Sequence, residues 1–328
     1  MKNFICIGLL LMGVSCKTIE QAESFGSIER LDATLDAIVA PDAEIEILAE
    51  GYEWSEGPVW VASENMLLFS DVPTNIVYRW KEGEGTAVFL KPSGYTGSAP
   101  TTSREPGSNG LALTPDGHLV ICQHGDRRLA MLDAPFDAPR PAFKTIVDNW
   151  QGKRFNSPND VAVRSNGDYF FTDPPYGLAS DSAREIEFHG VYKASRGEIA
   201  LLVDSITRPN GIALMPEENT IIIANSDREK PVWYAYEISG DDVLTNGRIF
   251  YDASDATDEA GLPDGLKIDQ QGNVFATGPG GIWIFDRNAR LLGKIRLPVA
   301  AANCAFSDDE KTLFITADNY LLRLRLRP

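Results

Sequence analysis

The sequence predicts an all-β fold, a six-bladed β-propeller preceded by a short N-terminal helix. Three observations carry that expectation. First, six similar units recur along the chain: EGPVWVASEN at 56–65, SNGLALTPDG at 108–117, NDVAVRSNG at 159–167, NGIALMPEEN at 210–219, DGLKIDQQGN at 264–273 and NCAFSDDE at 303–310. Aligned on Glu56, Asn109, Asn159, Asn210, Asp264 and Asn303, they are spaced by 53, 50, 51, 54 and 39 residues. Periods of this size mark a repeat architecture. Second, each unit reads as a strand, a tight turn and a second strand. The second strands are expected at 66–69, 118–123, 169–172, 220–224, 274–277 and 312–316, which is the beginning of a propeller blade. Third, a strand-like segment, Glu44–Ala49, precedes the first unit, and the last unit is the shortest. The early strand is expected to complete the last blade and leave no open edge. A solenoid is the competing repeat architecture, but parallel β-solenoids have shorter periods and need capping repeats.

Taken in order, residues 1–15 read as a secretory signal peptide, with Lys2 followed by a short apolar run from Phe4 to Val14. That run is too short to cross a bilayer as a mature helix. The ending Gly13-Val14-Ser15-Cys16 is similar to a lipobox, which implies lipid attachment at Cys16 and an exported protein of the periplasm or cell envelope. A plain signal peptide is the alternative. Residues 16–40 read as a polar tether and one amphipathic helix, because Ile28, Leu31, Leu35, Ile38 and Val39 recur at helical spacing. Residues 41–328 are assigned to the propeller. Cys122 and Cys304 fall two blades apart, so two buried free thiols are expected rather than a disulfide.

Composition narrows the function. With 30 Lys and Arg against 47 Asp and Glu, the 328-residue chain carries a net charge of −17. Nothing in that balance neutralises a phosphate backbone, which argues against nucleic acid and against an anionic membrane surface. It suits a small neutral ligand or a cation.

The first strand of each blade lines the central channel of a propeller, so the six unit-opening residues should meet near one mouth. Asn-Gly at 109–110 and 210–211 and Asp-Gly at 264–265 are also common turn pairs. Turn chemistry alone leaves Glu56, in Glu-Gly-Pro, unexplained. Two carboxylates converging on an axis repel unless a cation or proton lies between them. Carboxylates mixed with amides, without clustered His or Cys, suit a hard dication: Ca²⁺ first, with Zn²⁺ or Mn²⁺ as alternatives. The ends of the second strands supply an outer set, Asp71, His124, Asp173, Asn225 and Asp227, placed to orient the ring or to touch a ligand, while Asp318, at the matching place, reads as a solvated loop residue. There is no Gly-x-Ser-x-Gly elbow, His-Glu-x-x-His or Cys-x-x-Cys. His118 follows a turn on the far face, so a three-His zinc site with His124 and His189 is not expected. Gly278-Pro279-Gly280-Gly281 reads as a strand-end turn rather than a phosphate loop.

The segments EGPVW, NSPNDVAV with FTDPPYG, RPNGIAL, GLPDGLKID, GNVFATGPGG and ANCAF resemble the gluconolactonase branch of the SMP-30/gluconolactonase/luciferin-regenerating family, from about residue 41 to the C-terminus. The resemblance implies a six-bladed propeller with one central divalent metal held by Glu56, Asn159, Asn210 and Asp264. It also implies substrate contacts at Asn109 and His124 and, on a looser match, at Arg154. The activity it implies is opening of a sugar lactone, with the metal polarising the carbonyl and Asp264 taking a proton from water. Hydrolysis of other esters or phosphoesters at the same metal, and a non-catalytic calcium-binding propeller, are the competing readings.

Overall fold

A computed structural model describes residues 25–240, 242–256 and 258–327. The first repeat unit builds the sheet Ser55–Val61, Met66–Asp71, Ile76–Lys81 and Gly85–Leu90. The second builds Ser108–Leu113, Leu119–Gln123, Arg128–Leu132 and Phe143–Val147. The third and fourth repeat this antiparallel order from Val161–Val163 to Glu198–Val203 and from Pro209–Leu214 to Leu244–Asp252. The fifth starts at Leu266–Ile268 and the sixth at Ala301–Phe306. Each is a meander in which consecutive strands pair, so the six sheets are propeller blades. All six second strands lie where the repeat alignment puts them.

The ring closes as the sequence suggests. Ile45–Glu50 pairs antiparallel with Tyr320–Arg325, matching Ile45 with Leu324 and Ile47 with Leu322, and becomes the outer strand of the sixth blade. Across the seam, Leu67, Phe69 and Trp80 of the first blade pack with Ala305, Phe314 and Leu321 of the sixth. Trp60 stacks on Phe314 with ring centroids 5.4 Å apart. The Ser55 hydroxyl and amide both donate to the sixth blade, at Tyr320 O (2.8 Å) and Asp318 O (2.8 Å). The other interblade cores follow the same rule: Val120, Cys122 and Leu129 bury against Phe171 and Tyr192 of the next blade. Cys122 and Cys304 are buried and unbonded to each other.

The N-terminal segment departs from the sequence reading. Residues 28–39 form no amphipathic α-helix. Ser27–Arg30 is a fifth strand on the fifth blade, pairing Ile28 with Ile295, and Ala33–Ala37 is a short 3₁₀ helix. The free edge of Leu291–Arg296 offers a row of backbone partners, and pairing there outweighs a helical periodicity too short to be stable by itself. Leu35 and Val39 are buried, but Leu31 is half exposed, so the helical stripe was coincidence at that position. The signal peptide of residues 1–15, Cys16 and most of the tether lie outside the described residues. Among the described residues, no helix is long and apolar enough to cross a membrane.

Candidate active site

The inner strands do not run straight into the channel. Their ladders shift register between Glu56 and Val59, Ser108 and Leu111, Pro209 and Ile212, and Ala301 and Asn303. In the third and fifth blades the ladder begins only at Val161 and Leu266, after Asn159 and Asp264. A bulge re-aims a side chain, and here each one sits at a unit-opening residue. The glycines beside them serve close packing of neighbouring blades rather than turns. A Cβ at Gly211 would lie 2.1 Å from Asp264 O, and one at Gly57, whose φ is +54°, would lie 2.0 Å from Asn109 O. The Gly110 amide donates to Asn159 O at 2.7 Å. Hydroxyls finish the girdle: Ser70 donates to Asn109 O (2.8 Å) and Thr172 to Asn210 O (2.6 Å).

Glu56, Asn109, Asn159, Asn210 and Asp264 all line one cavity of about 280 Å³ at the channel mouth. That volume lies at the small end of ligand pockets. Asn303, the sixth ring member, is committed elsewhere. Its amide nitrogen donates to Glu56 Oε1 (2.9 Å), while its oxygen accepts from Lys267 Nζ (3.1 Å) and the Cys304 amide (2.9 Å). It therefore holds Glu56 from behind.

The electrostatics of the ring are strained. Burial raises the Glu56 carboxyl to about 7 despite the hydrogen bonds from Asn303 and the Gly57 amide. Burial, then the Glu56, Asp160 and Glu105 carboxylates, push Asp264 well above its ordinary value, and a hydrogen bond from Asn210 offsets this only in part. The buried Asn109 Oδ1 has no hydrogen-bond partner. Among the described residues, no group of three or more His, Cys, Asp and Glu is gathered as a metal site. The donor set is instead two carboxylates with amides. Two buried carboxylates short of positive charge, with the Asn159 and Asn210 amides beside them on the cavity wall, are the chemistry that fits a hard cation.

The outer set has a different job from the ring. Asp71 accepts from the Glu53 and Trp54 amides, Asp173 from the Asn156 and Ser157 amides, and Asn225 Oδ1 from the Arg208 amide. Each clamps the loop two or three residues ahead of a unit-opening residue, so these side chains set the approach of Glu56, Asn159 and Asn210 and do not line the cavity. His124 is fully buried and also off the cavity wall, with Nδ1 3.4 Å from Glu105 Oε2. Arg154 is not brought to the cavity. It sits on the exposed hairpin Asn149–Trp150 with Lys153–Arg154, and its guanidinium donates to Asp126 O at 3.2 Å. His118 pairs with Asp116 in an exposed turn, away from His124, and Gly278–Gly281 closes a tight hairpin.

The rest of the wall comes from loops outside the repeat phase: Trp54, Glu105, Tyr176, Ser226, Arg228 and Leu262 among them. Tyr176 and Ser226 follow closely on the ends of the second strands, so extending the aligned units by one to three residues reaches both. Ser226 bridges the site, accepting from the Asn210 amide at 3.0 Å and donating to Pro263 O. Glu105 lies in the long connection between the first and second blades and has no repeat equivalent.

The family model described as the SMP-30/Gluconolactonase/LRE-like region matches residues 54–319. A gluconolactonase of Zymomonas mobilis is 39% identical over 323 residues, covering 95% of this chain and 90% of the relative. The solved structure of a Xanthomonas campestris gluconolactonase superposes with a TM-score of 0.80 at 31% identity, over 92% of this chain and 95% of that one. A calcium-binding regucalcin from Agrobacterium tumefaciens shares the fold, with a TM-score of 0.65 at 16% identity, over 85% of this chain and 92% of that one.

Proposed function

The chain belongs to the SMP-30/gluconolactonase/LRE-like family, and from that premise we propose that it is a lactonase that opens a sugar lactone at the channel mouth. The observation that carries the reading is the convergence of Glu56, Asn109, Asn159, Asn210 and Asp264 on one small cavity, in a chain 39% identical to a gluconolactonase. Glu56, Asn159, Asn210 and Asp264 are the residues that would hold a divalent cation, with Ca²⁺ favoured by the all-oxygen donor set and Zn²⁺ or Mn²⁺ as competitors. The chemistry such a cation supplies when bound is polarisation of the lactone carbonyl.

The protein's own groups do the rest. Asp264 takes a proton from the attacking water, for which its crowded, buried carboxyl is suited once its charge is offset. Glu56, fixed by Asn303 and the Gly57 amide, keeps its remaining oxygen toward the cavity. The Asn109 amide, with its oxygen unpaired, is placed to bind a substrate hydroxyl. Acid release in a pH-stat, measured on a panel of lactones with and without chelator, tests this reading. Release that chelator abolishes and added metal restores supports it; release only from phosphoesters, or silence on every substrate with metal still bound, overturns it.

Export with lipid attachment at Cys16 is part of the same proposal, supported by the apolar run from Phe4 and the Val-Ser-Cys ending. Labelling cells with a fatty-acid analogue tests it. Label lost in Cys16→Ser supports the anchor, and unlabelled protein rejects it.

A further inference from the structure

Glu105 is assigned no role by the repeat phase. Its carboxylate nevertheless lines the cavity together with Asn109 and Asp264. It reaches that place because the connection from Lys91 to Gly107 is tied down along its length. The Thr96 amide and hydroxyl both donate to Asp126, at 3.0 and 2.6 Å. The Ser103 hydroxyl donates to Gly177 O at 2.7 Å and accepts from the Glu105 amide at 3.1 Å. A loop held at Asp126 and Gly177 presents its carboxylate to the mouth at little further cost in ordering.

Behind Glu105 stands His124. Neither ring nitrogen has a hydrogen-bond partner although the side chain is fully buried. Glu105 Oε2 lies 3.4 Å from Nδ1, too long for a good hydrogen bond. Gly177 packs closely against the base of this side chain, where a Cβ would lie 2.5 Å from the His124 Cβ. An unpaired buried imidazole carries a standing penalty that one good contact removes, and contacts of this kind commonly tighten only when substrate is bound. The Glu105 side chain is one-third exposed, so it can move the few tenths of an ångström required.

We propose that Glu105 is a specificity-determining residue that accepts a hydrogen bond from a hydroxyl of the lactone, and that His124 is the positioning residue that aims it. This rests on the lactonase reading. It places recognition of a polyhydroxylated ring at a carboxylate on the cavity wall, which discriminates strongly between a hydroxyl and a bare methylene. No proton changes hands at Glu105; its part is to bind.

The test compares glucono-δ-lactone with δ-valerolactone, the same ring without hydroxyls. For wild type, Glu105→Ala, His124→Asn and the double variant, kcat and KM are measured on both. The expected result is a fall of roughly tenfold or more in the ratio of kcat/KM values for Glu105→Ala, carried by KM on the hydroxylated lactone. His124→Asn should lower the same ratio by a smaller factor, and the double variant should be no worse than Glu105→Ala alone. Equal losses on both lactones, a loss carried by kcat, an unchanged ratio, or additive losses in the double variant would each overturn the inference while leaving the lactonase reading in place. Wild-type protein that opens neither lactone overturns that reading and this inference with it. Melting temperatures of all variants separate misfolding from loss of recognition, and Glu105→Gln, which keeps an acceptor, should recover part of the ratio.

Discussion

The stability conferred by metal should depend on pH in a way the ring dictates. In stripped protein the Glu56 carboxyl rises from an ordinary 4.5 to about 7, and Asp264 is pushed well above its ordinary value in the same direction. A carboxyl whose folded value lies above its unfolded one contributes stability below the unfolded value, and that contribution is lost as pH rises through the folded one. The stripped fold should therefore weaken from about pH 4.5 to above 7. For Glu56 alone the loss corresponds to roughly 3 kcal/mol. A chain of this length unfolds with an entropy of about 0.7 kcal/mol/K, so the melting temperature should fall by about 4 to 5 °C across the window. A cation held by these carboxylates would remove the penalty. Asp173 is also raised to about 7 by burial, with the same sign, so the quantity to read is the difference between loaded and stripped protein at each pH. Differential scanning calorimetry with chelator and with excess Ca²⁺ gives it directly. The gap should widen by about 3 to 4 °C between pH 5 and 7.5. A gap that is absent, constant or narrowing over that range refutes the reasoning.

Asp264→Asn keeps the size and one oxygen but removes the charge and the base; turnover on a lactone should fall by roughly 10²- to 10⁴-fold even at saturating metal, and recovery at high metal would place the base elsewhere. Asn109→Ala should raise KM more than it lowers kcat, because its unpaired oxygen serves binding; initial-rate kinetics on glucono-δ-lactone check this. Gly211→Ala would set a Cβ 2.1 Å from Asp264 O, so the blades must part; calorimetry should show a loss of several kcal/mol, about 3 or more, together with weaker metal binding.

The ring was legible because repetition makes phase visible. The shared phase of six units places Glu56, Asn109, Asn159, Asn210, Asp264 and Asn303 around one axis, and the structure puts the first five on one cavity. Phase says less about direction. Asn303 is as much in phase as Asn210, yet its amide is used by Glu56 and Lys267. Asp71 and Asp173 occupy matching strand ends, but their carboxylates are turned back onto backbone amides. Which way a polar side chain faces is settled by local bulges and loop paths, and these leave little trace in composition. The loops hid the rest: Glu105 reaches the site through ties to Asp126 and Gly177, contacts that join residues about 30 and 74 positions apart. Arg154 shows the converse, a residue close in sequence to Asn159 that the hairpin carries to the outer surface. At the N-terminus, an available sheet edge on the fifth blade defeated a helical pattern.

The central claim is that Glu56, Asn159, Asn210 and Asp264 share one divalent cation in the cavity where the lactone is opened. Crystals grown with Mn²⁺ as an anomalous scatterer test it most directly. The structure predicts a single strong anomalous peak within bonding distance of oxygens from those four residues, lost in Asp264→Asn crystals or much weakened. A peak held by other residues, or a cavity without one in crystals of enzyme that still opens lactones under the same conditions, would contradict it.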